Sequence, residues 1–165
     1  MDMYGELILD HSKRPVGAGL REGFGAEVHH INPTCGDEVT LRVHLGDSDG
    51  VAVLSDLSYD ALGCSISMAS TSILAQECVG EPVSDTLMTY GHVKAMLTSR
   101  GADPGEAEEI GDAVALAGVA KYPARVKCAL LGWTAYLDAL AQAGYDISAI
   151  AAASPSPSHP STMRS

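Results

Sequence analysis

Cations are scarce in this chain. Lys and Arg number 10 against 21 Asp and Glu, leaving a formal charge of -11 over 165 residues. A nucleic-acid partner needs a cationic face to neutralise phosphates, so that class of partner is excluded. Long apolar runs are also missing. Nothing approaches the roughly 20 consecutive apolar residues that span a bilayer. The opening Met1-Asp2-Met3-Tyr4 has neither the charged nor the apolar region of a secretion signal. A cytoplasmic protein without a membrane partner is the expectation. No CxxC pair occurs among the four cysteines, and the Ser65, Ser67 and Ser70 series has no His or Asp partner at a diagnostic spacing for nucleophilic catalysis. The chain carries no internal repeat.

What remains is ordinary for one globular domain, with 46% hydrophobic and 19% charged residues, enough to bury a core without disulfide staples. In a reducing compartment the cysteines are better read as metal ligands or sulfur chemistry than as bridges.

Residues 3–13 place Tyr4, Leu7 and Ile8 at helical spacing and stop at Arg14-Pro15. From Phe24 the period is two: Phe24, Ala26 and Val28, then Val39, Leu41, Val43 and Leu45 alternating with Thr40, Arg42 and His44. A loop over residues 46–50 and a third strand from Val51 towards Tyr59 complete an antiparallel meander. Four helical stretches follow. Residues 65–79 carry Ile66, Ala69, Ile73 and Leu74 on one side and a polar face of Ser65, Ser67 and Ser70. Residues 83–99 begin after Pro82 with Ser84 and Asp85 in capping range, and residues 105–117 are acid-rich at their start. The last runs from about Pro123 to Ala143 on a stripe of Val126, Leu130, Trp133, Leu137 and Leu140, with Cys128 opposite that stripe. Residues 1–147 read as the folded α+β domain, and residues 148–165, rich in Ala, Ser and Pro, as a disordered tail.

The chemistry is expected around Asn32-Pro33-Thr34-Cys35-Gly36-Asp37. If this backbone is extended, Cys35 and Asp37 point to the same side, with no side chain at Gly36 between them. Cys64 follows a glycine and opens a helix, where the dipole favours thiolate; Cys128 has Arg125 and Lys127 beside it. Three thiolates and a carboxylate make a plausible tetrahedral zinc site. The other reading of the same spacing is that these are small buried hydrophobes. Cys78, late in its helix, reads as core packing. His29 and His30 are adjacent on a strand and face opposite ways, so they do not chelate together.

These motifs, in this order, resemble the IscU/SufU (NifU N-terminal-like) family of iron–sulfur cluster assembly proteins over roughly residues 3–143. The residues that carry the resemblance are Asn32-Pro33-x-Cys35-Gly36-Asp37, Gly63-Cys64-Ser65-Ile66-Ser67-x-Ala69-Ser70 and Tyr122-Pro123-x-Arg125-Val126-Lys127-Cys128-Ala129, with Asp10-His11-Ser12-Lys13-Arg14-Pro15 in the opening helix. The resemblance implies a three-stranded antiparallel sheet covered by helices on one side. Two features point to the SufU branch: Lys127 stands where scaffold-type members have a histidine, and an acid-rich insert occupies residues 100–118. That branch implies a zinc-dependent sulfurtransferase, with Cys35 accepting persulfide sulfur from a pyridoxal-phosphate cysteine desulfurase of the SufS type. Zinc would be held by Cys35, Asp37, Cys64 and Cys128, and downstream Suf scaffold proteins are further expected partners. The alternative is a scaffold assembling a labile [2Fe–2S] cluster on the same ligands. A third reading is a purely structural zinc module. Arg125, about one turn before Cys128, is expected either to hydrogen-bond Asp37 or a cysteine sulfur, or to turn outward to meet the partner.

Overall fold

A computed structural model of the chain describes residues 3–33 and 36–147. The proposed tail over residues 148–165 and the acceptor Cys35 lie outside the described residues. The α+β architecture expected from the sequence is present. Helix α1 (Met3–Lys13) precedes strands β1 (Ala26–Ile31), β2 (Glu38–Ser48) and β3 (Val51–Leu62). Helices α2 (Ser65–Cys78), α3 (Val83–Leu97), α4 (Ala107–Ile110) and α5 (Pro123–Gln142) follow. The three strands form one antiparallel sheet in the order β1-β2-β3.

The strand alternation decides which face packs. Val39, Leu41 and Val43 are buried on one side of β2, each aligned with residues of both neighbouring strands. The β2–β3 hairpin is tighter than the five-residue loop expected over 46–50. Pairing continues through Ser48 and Val51, so the turn is only Asp49-Gly50, both at positive φ (53° and 84°). Such a two-residue turn matches the strand twist, and Asp-Gly suits it because aspartate tolerates and glycine readily adopts φ > 0. The outer edge of β3 is not left open. Gly19 N–H donates to the Tyr59 carbonyl, and the Gly80–Leu54 and Leu54–Glu81 backbone bonds close the other half.

Helix α2 departs most from expectation. Its supposed polar face is largely inside: Ser65 is exposed, but Ser67 and Ser70 are buried, and so are Thr71 and Ser72. Each of the last three has a hydrogen-bond partner. Ser70 donates to the Ala129 carbonyl (2.6 Å) and accepts from the Trp133 indole (3.0 Å). Thr71 donates to the Ser67 carbonyl, and Ser72 bridges the His11 ring and the Val16 amide. Small hydroxyls that bond at short range let a helix be covered on nearly every side.

The expected stripe on α5 is likewise only half right. Trp133 and Leu140 are fully buried, but Val126, Leu130 and Leu137 are only partly so. The buried face runs instead through Cys128, Ala129, Gly132, Ala135, Tyr136 and Ala139. Counting large apolar residues missed a face made of small ones, which is what close helix approach requires. Cys128 therefore lies on the packed side rather than opposite it.

The acid-rich stretch is not one α-helix. After the single turn of α4, Gly111 turns to positive φ (57°) and residues Gly111–Lys121 form a 3-10 helix. Ile110, Ala113, Leu116 and Val119 are buried at a spacing of three, the period at which a 3-10 helix stacks its side chains. Helix α3 begins after Pro82, whose carbonyl accepts from the amides of Asp85 and Thr86, without a side-chain cap from Ser84 or Asp85.

The α2–α5 contact yields a prediction. A Cβ on Gly132 would collide with the hydroxyl of Thr71, itself buried and bonded to Ser67. Gly132→Ala should therefore destabilise the fold by about 1–3 kcal/mol despite the better helix propensity of alanine. In a urea titration the midpoint should fall with the slope unchanged. A midpoint equal to or above that of the unmodified protein would show that the helices are not in close contact there.

Candidate metal centre

Three chain segments far apart in sequence meet where β2 begins and α2 and α5 start. Asp37 directly precedes β2, Cys64 is the N-cap residue of α2, and Cys128 lies in the second turn of α5. One ligand atom from each of Asp37, Cys64 and Cys128 lies within 4.8 Å of the others.

The segment that leads to Asp37 is a turn rather than the extended strand expected. Gly36 N–H donates to the Asn32 carbonyl (2.7 Å), Asn32 N–H to the Asp37 carbonyl (2.8 Å), and Gly36 sits at φ 79°. The backbone at Gly36 is therefore not that of an extended strand. Glycine is needed here for its positive φ, not for the missing side chain.

Asp37 is buried, at 4% exposure, so its carboxylate has to be compensated. The start of α2 does this. Cys64 N–H donates to Asp37 Oδ1 (3.2 Å) and the Cys64 thiol to Oδ2 (3.4 Å). A helix N-terminus favours negative charge, and here it faces both the carboxylate and the sulfur. Gly63 makes the approach possible, because a Cβ there would lie 2.6 Å from the Asp37 carboxyl carbon. Cys128 is buried as well, with its thiol donating to the Ala124 carbonyl one turn back (3.6 Å).

This donor set suits zinc. Bond lengths of about 2.3 Å to sulfur and about 2.0 Å to oxygen separate two donors on a tetrahedral ion by about 3.5–3.8 Å. The Cys64 sulfur and Asp37 Oδ2 are already 3.4 Å apart.

The other sequence-singled residues fall elsewhere. Cys78 is fully buried in the core, and burial, with Glu77 and Glu81 adding to it, pushes its thiol up to about 12. A thiol so held is inert at neutral pH. His29 bonds Thr40 and pairs with Glu38, whereas His30 reaches Asp138 on α5, so the two rings serve different partners. Arg125 is exposed, and among the described residues its guanidinium makes no hydrogen bond or ion pair. It lines a groove beside the centre instead. Lys127 is exposed too.

Sequence reasoning passed over the buried His11. Its ring bonds Ser72 (2.7 Å) and Asp112 (3.0 Å), tying α1 to α2 and the 3-10 helix. That contact, with a further bond from Gln76, holds the Asp112 carboxyl below the usual carboxylate range. Ser72 lies outside the Ser65, Ser67 and Ser70 series weighed for nucleophilic chemistry, and its His11 partner is 61 positions away. Ser72 is nevertheless wholly buried, so the trio clamps three elements and reaches no substrate.

The sheet, the helices on it and the cluster of Asp37, Cys64 and Cys128 define a small α+β protein whose cysteine and aspartate side chains could hold a metal ion. The chain belongs to the NifU-like N-terminal domain family, which matches residues 3–129, and within it to the IscU/SufU group. It is 37% identical over 134 residues to the zinc-dependent sulfurtransferase SufU of Bacillus subtilis, spanning 81% of this chain and 86% of that protein. It is 36% identical over 138 residues to the iron-sulfur cluster assembly scaffold protein IscU of Streptococcus pyogenes, spanning 84% and 82%. A crystal structure of a hypothetical protein, 35% identical, superposes with a TM-score of 0.73 over 84% of this chain and 97% of the other.

Gly63→Ala tests the geometry directly. The added methyl drives against the Asp37 carboxylate. Zinc affinity measured by chelator competition should fall about tenfold or more, near 1.4 kcal/mol, while the circular dichroism spectrum stays that of the folded protein. Unchanged affinity would mean that Asp37 does not need its place against α2.

Proposed function

We propose that this protein is a zinc-dependent sulfurtransferase that accepts persulfide sulfur from a pyridoxal-phosphate cysteine desulfurase during iron–sulfur cluster biogenesis. The observation that carries the proposal is the convergence of Asp37, Cys64 and Cys128 from three separated segments. Cys35, two positions before Asp37, is the fourth donor and the sulfur acceptor in this reading. Zinc, when bound, keeps the thiols deprotonated without redox chemistry of its own.

The residues divide the work. Cys35 attacks the outer sulfur of the donor's persulfide. The donor's S–S bond breaks, its cysteine departs as a thiolate, and Cys35 carries the persulfide, with no net oxidation. Cys64, half-buried at the N-cap of α2, and Cys128, buried on α5, stay in place as permanent thiolate donors. Asp37 is a harder oxygen donor that also fixes the start of α2. Three thiolates and a carboxylate around Zn2+ sum to about -2, and Arg125, roughly one turn before Cys128, offsets part of this through space. At an exposed position that effect is worth under about 1 kcal/mol.

A second reading is a scaffold for a [2Fe–2S] cluster on the same donors, favoured by the likeness to the streptococcal scaffold protein. Lys127 supports the first reading. An ammonium group is no ligand at neutral pH, so the position before Cys128 lacks the imidazole of scaffold-type members. The acid-rich insert supports it as well, by its resemblance to SufU. Among the described residues no helix is long and apolar enough to cross a membrane. We place the reaction in the cytoplasm, with a SufS-type desulfurase upstream and Suf scaffold proteins downstream.

Cys35→Ala decides the acceptor. The desulfurase turnover rate in its presence should drop to that of the desulfurase alone, and mass spectrometry should find no added sulfur on the protein. Undiminished stimulation, or a persulfide on a different cysteine, would remove Cys35 from the mechanism.

A further inference from the structure

A groove with a cavity of about 580 Å3 opens beside the candidate centre, lined in part by Ile8, Ile66, Gly118, Val119, Tyr122 and Arg125. It shares a wall with the metal-binding cluster. Ile66 comes two residues after Cys64, and the carbonyl of Ala124, another lining residue, accepts from the Cys128 thiol. At about 100° per residue, Cys128 projects from α5 between Ala124 and Arg125, about 40° from one and 60° from the other. A segment seated in the groove therefore lies against the helix turn that presents Cys128.

The lining says what such a segment carries. Most of it is apolar, and Tyr122 adds a ring that is 61% exposed, an uncovered aromatic surface of the kind that anchors interfaces. Among the described lining residues Arg125 is the one charge, and its guanidinium has no partner among the described residues. In a chain of net charge -11, an isolated guanidinium at the lip of an apolar groove is where a carboxylate can be received. Elsewhere the prevailing acidity repels it, so the same contact sets the register of docking.

We propose that this groove docks a segment of the sulfur donor that presents an apolar side chain beside a carboxylate, the carboxylate pairing with Arg125, so that the donor's persulfide is delivered at the metal-binding cluster. The inference rests on the sulfur-acceptor reading and adds to it the surface and chemistry of recognition. It also gives Arg125 the outward role.

Gly118 offers a way to close the groove without disturbing the fold. A Cβ built there meets no heavy atom within 4 Å, so a large side chain enters open space. The experiment titrates the zinc-loaded full chain with the SufS-type cysteine desulfurase of the same organism. It compares the unmodified protein with Gly118→Trp, Arg125→Glu and Arg125→Lys, each checked for zinc content and circular dichroism. Gly118→Trp and Arg125→Glu should each weaken binding about tenfold or more, and Arg125→Lys clearly less. Binding of the unmodified protein should weaken as salt rises, and Arg125→Glu should flatten that dependence. If Gly118→Trp and Arg125→Glu both bind within about twofold of the unmodified protein, the groove is not the docking surface. If sedimentation shows self-association that Gly118→Trp abolishes, the groove belongs to a second copy of this chain and the proposal is overturned.

Inorganic polysulfide separates the docking claim from the acceptor claim. It needs no groove, so Gly118→Trp should gain a persulfide on Cys35 as readily as the unmodified protein. Persulfide on Cys35 with desulfurase binding unaffected in both variants removes the groove and leaves the acceptor. Groove-dependent binding with Cys35 never persulfidated leaves the docking surface and removes the acceptor.

Discussion

The centre depends on one interaction, the buried Asp37 carboxylate held against the first turn of α2. A carboxylate at 4% exposure needs hydrogen-bond donors in place of water, and the Cys64 amide at 3.2 Å, at the positive end of a 14-residue helix, supplies one. Everything nearby is arranged to permit this. The turn at Gly36 delivers Asp37 to the start of β2, and the missing side chain at Gly63 lets the carboxylate reach the helix. The third donor is tied to the same frame. Ser70, on the helix that Cys64 opens, donates to the carbonyl of Ala129, the residue after Cys128, and accepts from Trp133 one turn further on. The distance from Cys64 to Cys128 is thus set by hydrogen bonds inside the core rather than by surface loops.

This explains why so much of the site could be read from the residues and why the rest could not. Gly63-Cys64 at a helix start, Asp37 beside a glycine and Cys128 in a cationic context are local patterns, and local patterns survive in sequence. The strand alternation of Val39, Leu41 and Val43 was legible for the same reason. Burial of α2 was not, because serine and threonine read as surface until their neighbours are known, and those neighbours are 56 to 63 positions away for Ser70 and Ser72. The packed face of α5 escaped because Ala129, Gly132, Ala135 and Ala139 carry little weight in an apolar stripe. They are nevertheless the residues that let two helices touch. The 3-10 helix hid behind its acidic start, although Ile110, Ala113, Leu116 and Val119 already spelled a period of three.

The two functional readings share the same donors and differ in what the donors hold. A sulfur acceptor needs one thiol that can leave a closed coordination shell, whereas a cluster scaffold needs room for two irons and their bridging sulfides. Asp37, Cys64 and Cys128, brought together by the start of β2, the N-terminus of α2 and α5, are common to both. The groove continues that division of labour, placing recognition on one wall of the centre and chemistry on the other.

X-ray absorption at the zinc edge of the protein as isolated tests the central claim most directly. The account predicts one zinc per chain with three sulfur neighbours at about 2.3 Å and one oxygen at about 2.0 Å. An iron-loaded, coloured protein, or a zinc shell of oxygen and nitrogen without sulfur, would contradict it.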